Sequence, residues 1–454
     1  TRPPTAGSLV EQGTHGVSFV GMSPLSVHAQ EEIENFDASK KVVCFVHGLG
    51  FSLLEVSFGS VRNTGRPGYQ LAYVGAECFT DENKERAVAN LAIPPVDCQS
   101  AATIKGVHVK VVEGLKGISS LNPNSHRPAD HWKGMIDALS ADFNLLPLNY
   151  DWRLWGDPSF AETLLETFRA TIEAAVLKTK QQPVDIVGHS MGCVVAHWCM
   201  SKLGDAWQRC NIGLCIWIAP THGGCTSAIP TFAAYPAPRY SEFIPVPELL
   251  HPDIAIASST WPCLVAMAPQ LVGGICPLPP KQVLIATPSK KYTALNIGTL
   301  FEDLASEDES RSLGAHIWSG IQHMWSDISA PAVPVRILYS NASRTPASWS
   351  YPDGDFSSWP EVTEHHWGDG VVVATAVEAI SKGWRVARPD LDIELFCETW
   401  GAHHTDLISC AFTLRLVPQI LNGTAPPGDR VKLKLRWALS TPDRARTDSA
   451  STTA

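Results

Sequence analysis

The chain has 454 residues, 44% of them hydrophobic and 18% charged, and its formal net charge is −10. This composition excludes a disordered protein. The length exceeds that at which a single core usually keeps growing, so we expect one enlarged domain or a core with a cap. The acidic balance and the lack of a Lys/Arg cluster exclude nucleic acid as a partner. They also exclude electrostatic docking to anionic membranes, so any lipid contact has to be apolar.

Twelve cysteines accompany this acidic composition, and together they favour a secreted or lysosomal protein of the secretory pathway. A disulfide between Cys78 and Cys98 would close a polar loop, and one between Cys263 and Cys276 would close an apolar loop. No two cysteines have the paired spacing of a zinc site, so we predict neither a metal nor a cofactor.

Two features of the sequence bear on processing. The chain starts at Thr1 with neither Met nor a signal-peptide core, which we interpret as a mature or trimmed form. The tripeptides at Asn341 and Asn422 fit the acceptor pattern for N-glycosylation.

Short apolar runs alternate with helical patterns from residue 41 onwards. The first run, Lys41 to Val46, is a predicted buried strand that ends at His47-Gly48-Leu49-Gly50. The clearest helical pattern runs from Phe160 to Lys178. Apolar strands between amphipathic helices predict an α/β fold, with a mostly parallel sheet covered on both faces. Further strands are predicted at 145–148, 184–187, 215–218, 335–339 and 393–397.

Two long segments break this alternation, because they mix Pro/Gly-rich and charged stretches. We interpret both as insertions over the end of the sheet where α/β folds bind ligands. The predicted organisation is a core of residues 41–56, 131–224 and 330–425, insertions at 57–130 and 225–329, and peripheral tails at 1–40 and 426–454.

Residues 210–238 and 254–280 contain no Asp, Glu, Lys or Arg. Repeated Pro and Gly residues argue against a membrane-spanning helix in either stretch. We predict a buried strand and loop for the first stretch. The second is either of the same kind or an apolar lid over a lipid site.

The strongest local signal is Gly188-His189-Ser190-Met191-Gly192, a G-x-S-x-G sequence between an apolar strand and a helical pattern. This context is that of a nucleophile elbow, in which a serine occupies a strained turn between strand and helix. Glycines at 188 and 192 would remove clashes with the returning backbone. We therefore predict Ser190 as a catalytic nucleophile.

A serine nucleophile needs a base and an orienting acid, which follow it in the order acid then histidine in this type of fold. Asp369 lies in a glycine-flanked loop after the strand at 335–339, and Asp353 and Asp355 are competing candidates. The base is predicted on the loop after the last strand, where position alone does not separate His403 from His404.

An oxyanion hole requires two backbone N–H donors. One is predicted at Met191, the residue after the nucleophile. The other is predicted at Leu49, in the glycine-rich loop after the first strand.

With these residues, the chain resembles the lecithin:cholesterol acyltransferase family, which includes lysosomal phospholipase A and the phospholipid:diacylglycerol acyltransferases. The resemblance extends from Val42 to Leu421 and is most specific at Asn149-Tyr150-Asp151-Trp152-Arg153-Leu154. The other matching blocks are Gly48-Leu49-Gly50 with Leu54-Glu55, Gly188 to Cys193, Ala219-Pro220 with Gly223-Gly224, Ala286-Thr287-Pro288-Ser289 with Tyr292, Gly368-Asp369-Gly370, and His404 followed by Asp406-Leu407-Ile408.

The resemblance implies an α/β-hydrolase fold and a catalytic triad of Ser190, Asp369 and His404. It implies Leu49 and Met191 as oxyanion donors. It also implies that Cys78 and Cys98 form a disulfide that anchors a membrane-binding loop, so we predict that the insertion at 57–130 binds membranes. We predict that the insertion at 225–329 forms a cap or lid.

The Asp151 and Arg153 side chains are implied to be buried structural residues, although the sequence alone suggests a surface ion pair. The chain departs from the family in three places: His47 replaces the usual Pro, Phe51-Ser52-Leu53 is unlike the usual following loop, and residues 225–280 match poorly.

The implied activity is transfer of a fatty acyl group from a glycerophospholipid, through a seryl acyl-enzyme, to an alcohol such as a sterol. The alternatives are a phospholipase A or lipase that hydrolyses the same ester, and a catalytically silent lipid-binding protein. The implied partners are the phospholipid substrate and a membrane or lipoprotein surface. No substrate-binding residues are predicted.

Overall fold

The computed structural model describes residues 25–58, 70–71, 107–120, 130–233, 258, 260–307, 312–356, 358 and 360–430. The disulfide predicted between Cys78 and Cys98 lies outside the described residues. The strands, in chain order, are β1 (Val42–Val46), β2 (Leu54–Phe58), β3 (Gln70–Leu71), β4 (Val107–Val111), β5 (Asn144–Leu148), β6 (Val184–His189), β7 (Ile212–Ile218), β8 (Ile285–Ala286), β9 (Lys291–Tyr292), β10 (Val335–Ser340), β11 (Ser343–Ser350), β12 (Glu361–Gly368), β13 (Ile393–Glu398) and β14 (Asp429–Arg430).

The helices flank these strands, and those at Val27–Glu34 and Pro158–Lys178 begin with a side-chain cap. In the helix Pro158–Lys178, Asp157 accepts a hydrogen bond from the N–H of Phe160 at 2.9 Å, and Pro158 occupies the first turn, where proline is favoured. The helices are α1 (Val27–Glu34), α2 (Lys116–Ser119), α3 (Lys133–Leu139), α4 (Pro158–Lys178), α5 (Met191–Asn211, broken at Gly204), α6 (Ala228–Ala233), α7 (Pro262–Ala266), α8 (Ile297–Glu307), α9 (Ser312–Ser326), α10 (Ala374–Ala387) and α11 (Ala411–Leu421), with a 3₁₀ turn at Trp152–Leu154.

The central sheet has the strand order β14-β13-β10-β7-β6-β1-β5, and its strands are parallel except for β14. Strands β1, β5 and β6 are buried along their whole length, as expected for parallel strands covered on both faces. The core lies on the two sides of this sheet, in two clusters of buried apolar side chains. This arrangement confirms the predicted α/β-hydrolase fold class.

Two smaller sheets are attached to this core. Strands β12, β11, β8 and β9 form one sheet, and β3, β2 and β4 form the other. The β11–β12 hairpin matters for the site, because it connects the end of β10 to the loop that carries Asp369.

The second charge-free stretch is packed into the main core over the part that the structure describes. Trp261, Leu264, Val265 and Met267 are all buried. The proposed closure of a loop by Cys263 and Cys276 is wrong, because both side chains are free thiols and Cys263 is buried among apolar neighbours.

Among the helices of the described residues, none is both long and apolar enough to cross a membrane.

Candidate active site

Ser190 lies in the tight turn between β6 and α5, at the carboxyl edge of the central sheet. Its φ of 55° and ψ of −127° are strained for a residue with a side chain, and such strain is common at functional sites. A Cβ at Gly192 would lie 2.1 Å from the carbonyl oxygen of Val46, so only glycine fits beneath the turn. The predicted nucleophile therefore has the backbone geometry of an elbow.

His404 lies opposite Ser190 and is hydrogen-bonded to it. The distance from His404 Nε2 to Ser190 Oγ is 2.8 Å, and both residues are buried. The neighbouring His403 is exposed. Of the two histidines that position alone left open, the structure brings His404, the one that the family resemblance implied, to the serine.

Asp369 holds the other ring nitrogen of His404. Its Oδ2 lies 2.8 Å from His404 Nδ1, while Oδ1 accepts hydrogen bonds from the N–H groups of Val371 at 2.9 Å and Val372 at 2.7 Å. A second link joins the two loops, because the His404 N–H donates to the Asp369 carbonyl oxygen at 2.8 Å.

These contacts orient a buried carboxylate towards the histidine, as a triad requires. The two competing carboxylates, Asp353 and Asp355, are exposed.

The predicted oxyanion donors flank Ser190 in space. Leu49 follows Gly48, whose backbone approaches so closely that a Cβ there would lie 3.3 Å from Ser190 Oγ. Met191 begins α5, where N–H groups lack helical acceptors. Within the ranges that the structure describes, neither the Leu49 nor the Met191 N–H donates to a protein acceptor. Both amides are therefore available to an oxygen beside the serine.

His189 contacts the backbone of His404, a role that the sequence did not indicate. It is fully buried, and its Nε2 donates to the carbonyl oxygen of His404 at 3.1 Å. Burial first, and then the neighbouring His404, hold the pKa of His189 well below its usual value, so the ring is neutral. The available signal was a histidine at the end of a buried strand, directly before the elbow serine.

His47, which stands where the family usually has Pro, is buried next to Gly48 and Leu49. Its ring stacks on Tyr150 with 4.2 Å between centroids, and its Nδ1 donates to the Gly48 carbonyl oxygen at 3.0 Å. Burial lowers the pKa of His47 to about 4. The Tyr150 hydroxyl donates to the His47 carbonyl oxygen at 2.5 Å, so both residues support the loop that carries Leu49.

Asp151 and Arg153 form a buried, two-bond ion pair in the 3₁₀ turn. Arg153 Nε lies 2.9 Å from Asp151 Oδ1, and Nη2 lies 2.6 Å from Oδ2. The surface ion pair suggested by the sequence alone is wrong, whereas the burial implied by the family resemblance is confirmed.

Fold and site together define the class: this is an α/β-hydrolase protein with an elbow serine hydrogen-bonded to a histidine–aspartate pair, the constellation of serine hydrolases. The family model described as lecithin:cholesterol acyltransferase matches residues 96–329, and the chain belongs to that family. The matched segment contains Ser190 and ends before Asp369 and His404.

Curated relatives are similar to the chain at low identity. Human phosphatidylcholine-sterol acyltransferase is 24% identical over 282 residues, which are 62% of this chain and 59% of the relative. Lecithin-cholesterol acyltransferase-like 1 of Arabidopsis thaliana is 22% identical over 68% of this chain and 69% of its own length. Human lysosomal phospholipase A and acyltransferase is 23% identical over 70% of this chain and 73% of its own length. The chain thus spans about three fifths of the length of the human sterol acyltransferase.

Proposed function

We propose that the protein is a lipid O-acyltransferase, which moves a fatty acyl group from a glycerophospholipid through an acyl-enzyme on Ser190 to an alcohol such as a sterol. The observation that carries the proposal is the hydrogen-bonded series Asp369–His404–Ser190 at the elbow, with 2.8 Å at each side-chain contact. Family membership and the acyltransferase names of the relatives support the same chemistry.

In the first half-reaction, Ser190 Oγ attacks the ester carbonyl carbon while His404 Nε2 takes the hydroxyl proton. Asp369 stabilises the resulting imidazolium through Nδ1. The tetrahedral intermediate collapses, the bond to the glycerol oxygen breaks, and His404 returns the proton to that leaving oxygen. A lysophospholipid departs, and the acyl group remains on Ser190.

In the second half-reaction, His404 takes the proton of the acceptor hydroxyl as its oxygen attacks the acyl-enzyme. Ser190 Oγ leaves and recovers the proton from His404. In both halves the negative oxygen lies between the N–H groups of Leu49 and Met191, and loss of one such donor typically lowers kcat by about a hundredfold or more.

Hydrolysis is the second candidate, since water can replace the alcohol in the second half-reaction. The name of the human lysosomal relative, a phospholipase A and acyltransferase, favours this alternative. Transfer to an alcohol prevails only where the closed site excludes water. A silent lipid-binding protein is a remote third candidate, disfavoured by the complete serine–histidine–aspartate arrangement.

The proposed partner is a membrane or lipoprotein surface. The proposed compartment is the secretory pathway, where the protein would be secreted or lysosomal. Two tryptophans are exposed beside the site: Trp367 at 62%, two residues before Asp369, and Trp400 at 95%, four residues before His404. Tryptophan favours the boundary between apolar and aqueous phases. Both side chains supply the apolar lipid contact that the acidic composition requires.

The test is incubation of the protein with liposomes of acyl-labelled phosphatidylcholine and cholesterol or ceramide, next to Ser190→Ala as the matched control. Labelled ester that forms with the wild type and disappears in the variant is the expected result. Free fatty acid alone, again dependent on Ser190, would replace the proposal with a phospholipase. A Ser190 that does not react with a fluorophosphonate would overturn both and favour the silent protein.

A further inference from the structure

Glu398 ends β13 and is only 4% exposed, yet its carboxylate makes no contact with the serine, histidine or aspartate of the site. Its Oε1 accepts a hydrogen bond from the N–H of Trp400 at 2.5 Å, and its Oε2 accepts one from the N–H of Ala402 at 3.0 Å. Both donors lie in the loop of residues 399–403, which we call the base loop because it leads directly to His404.

The base loop is irregular backbone, and its amides therefore have no strand or helix to bind. Hydrogen bonds from N–H groups to a carboxylate are about twice as strong as neutral ones. Between the two bonded amides, Gly401 has a φ of 108°, and no atom lies within 4 Å of where its Cβ would be. The Glu398 carboxylate therefore holds the loop at residues 400–402, while the His403 carbonyl oxygen accepts hydrogen bonds from the N–H groups of Asp406 and Leu407 at its other end.

The same carboxylate also contacts the strand that leads to the acid. The Ser340 hydroxyl, at the end of β10, donates to Glu398 Oε2 at 3.2 Å, and the N–H of Asn341 donates to the Glu398 carbonyl oxygen at 3.2 Å. Residues 340–342 lead into the β11–β12 hairpin, after which comes Asp369. Glu398 thus connects the origins of the two segments that carry His404 and Asp369.

We propose that Glu398 is a positioning residue for His404: it fixes the base loop so that Nε2 lies within hydrogen-bonding distance of Ser190 Oγ. This inference rests on the proposed function, in which His404 is the base. Displacement of a catalytic group by about 1 Å lowers a rate by roughly a hundredfold. Glu398 acts on the rate through His404, because its carboxylate is hydrogen-bonded to two backbone amides and to Ser340 and to none of the three catalytic side chains.

The variant Glu398→Gln keeps the size of the side chain but replaces one acceptor oxygen with an NH₂ group that opposes a backbone N–H. Glu394→Gln is the matched control, since Glu394 lies four residues earlier on β13, is also buried, and pairs with Arg336 and the Gly428 N–H instead. We expect Glu398→Gln to lower kcat and the rate of Ser190 labelling by a fluorophosphonate about 10- to 100-fold, with KM changed less than about twofold. We expect Glu394→Gln to leave both rates within about twofold.

A double-mutant cycle separates positioning from general destabilisation. In a His404→Ala background, Glu398→Gln should lower the residual labelling rate no further, because there is no base left to position. A further tenfold loss in that background, or an unchanged kcat in the single variant, would overturn the proposal.

Hydrogen exchange gives a readout that does not require activity. In Glu398→Gln, the peptide covering 399–404 should exchange faster at the Trp400 and Ala402 amides, whereas in Glu394→Gln it should not. Unaltered exchange would also overturn the proposal. If the wild type labels at Ser190 but forms no lipid product, the proposed lipid activity fails while both tests of Glu398 remain decisive.

Discussion

His189 Nε2 donates a hydrogen bond to the backbone carbonyl oxygen of His404 at 3.1 Å, while the ring of His404 binds the hydroxyl of Ser190 at 2.8 Å. The residue before the elbow serine thus supports the backbone of the histidine that contacts the serine. The carbonyl oxygen of His404 can only accept a hydrogen bond. The single N–H of the neutral His189 ring therefore has to be on Nε2.

We expect His189→Phe to lower the rate of Ser190 labelling by a fluorophosphonate about tenfold or more. Phenylalanine fills similar space but leaves the buried His404 carbonyl without a donor, which also costs about 1–3 kcal/mol in unfolding free energy. The control is His403→Ala, at an exposed histidine adjacent to the base. Equal labelling rates for His189→Phe and the wild type would contradict the supporting role.

We expect Gly48→Ala to displace the Ser190 side chain and lower its reactivity, and to cost about 1–3 kcal/mol in unfolding free energy through overpacking. A Cβ at this position would lie 2.7 Å from Ser190 Cβ, so the serine or the Gly48 backbone has to shift, which disturbs the contact between Ser190 and His404. The labelling rate should fall at least about tenfold. Gly134→Ala is the control, because its Cβ would meet only the flexible end of Leu414 at 3.1 Å, within helix α3. A Gly48→Ala rate within twofold of the wild type would argue against this close approach.

We expect Asp185→Asn to stabilise the protein above pH 7 and to have little effect near pH 4. Burial raises the pKa of Asp185 to about 6 from an ordinary value of 3.8, despite Lys41 at 3.8 Å. The folded state then binds more protons than the unfolded state between these two pH values, so wild-type stability falls as pH rises from about 4 to 6. The full difference is at most about 3 kcal/mol.

The measurement for Asp185 is denaturant unfolding of the wild type and the variant at pH 4, 6 and 8. The stability difference between them should grow with pH. Asp142→Asn, at an exposed carboxyl group, serves as the control and should show no such trend. A difference independent of pH would show that Asp185 titrates normally in the folded protein.

We expect Asp151→Asn to destabilise the protein by about 3–5 kcal/mol, because it leaves the Arg153 guanidinium buried without its carboxylate. The control is Asp137→Asn, which breaks an exposed pair with Lys133 and should change stability by less than about 1 kcal/mol. Thermal or denaturant unfolding measures both. Equal losses of unfolding free energy for the two substitutions would show that burial of the Asp151–Arg153 pair does not increase its contribution to stability.

The sequence alone was sufficient for the α/β fold class and for the elbow at Ser190. Both depend on local order: buried apolar strands, a helix at 158–178 with its Asp157 cap, and glycines at 188 and 192 around a serine between a strand and a helix. Interactions within a few residues determine such features, and they are therefore readable from spacing.

Position in the sequence did not decide which distant side chains meet Ser190: the family resemblance implied Asp369 and His404, and the tertiary structure brings them together. His403 and His404 are adjacent in sequence, but the loop turns one ring to solvent and the other to the serine. The burial of the Asp151–Arg153 pair and the contacts of Glu398 depend likewise on backbone that approaches from elsewhere in the chain. A sequence pattern indicates which residues have reactive side chains. Long-range packing determines which of these side chains lie close enough to form one site.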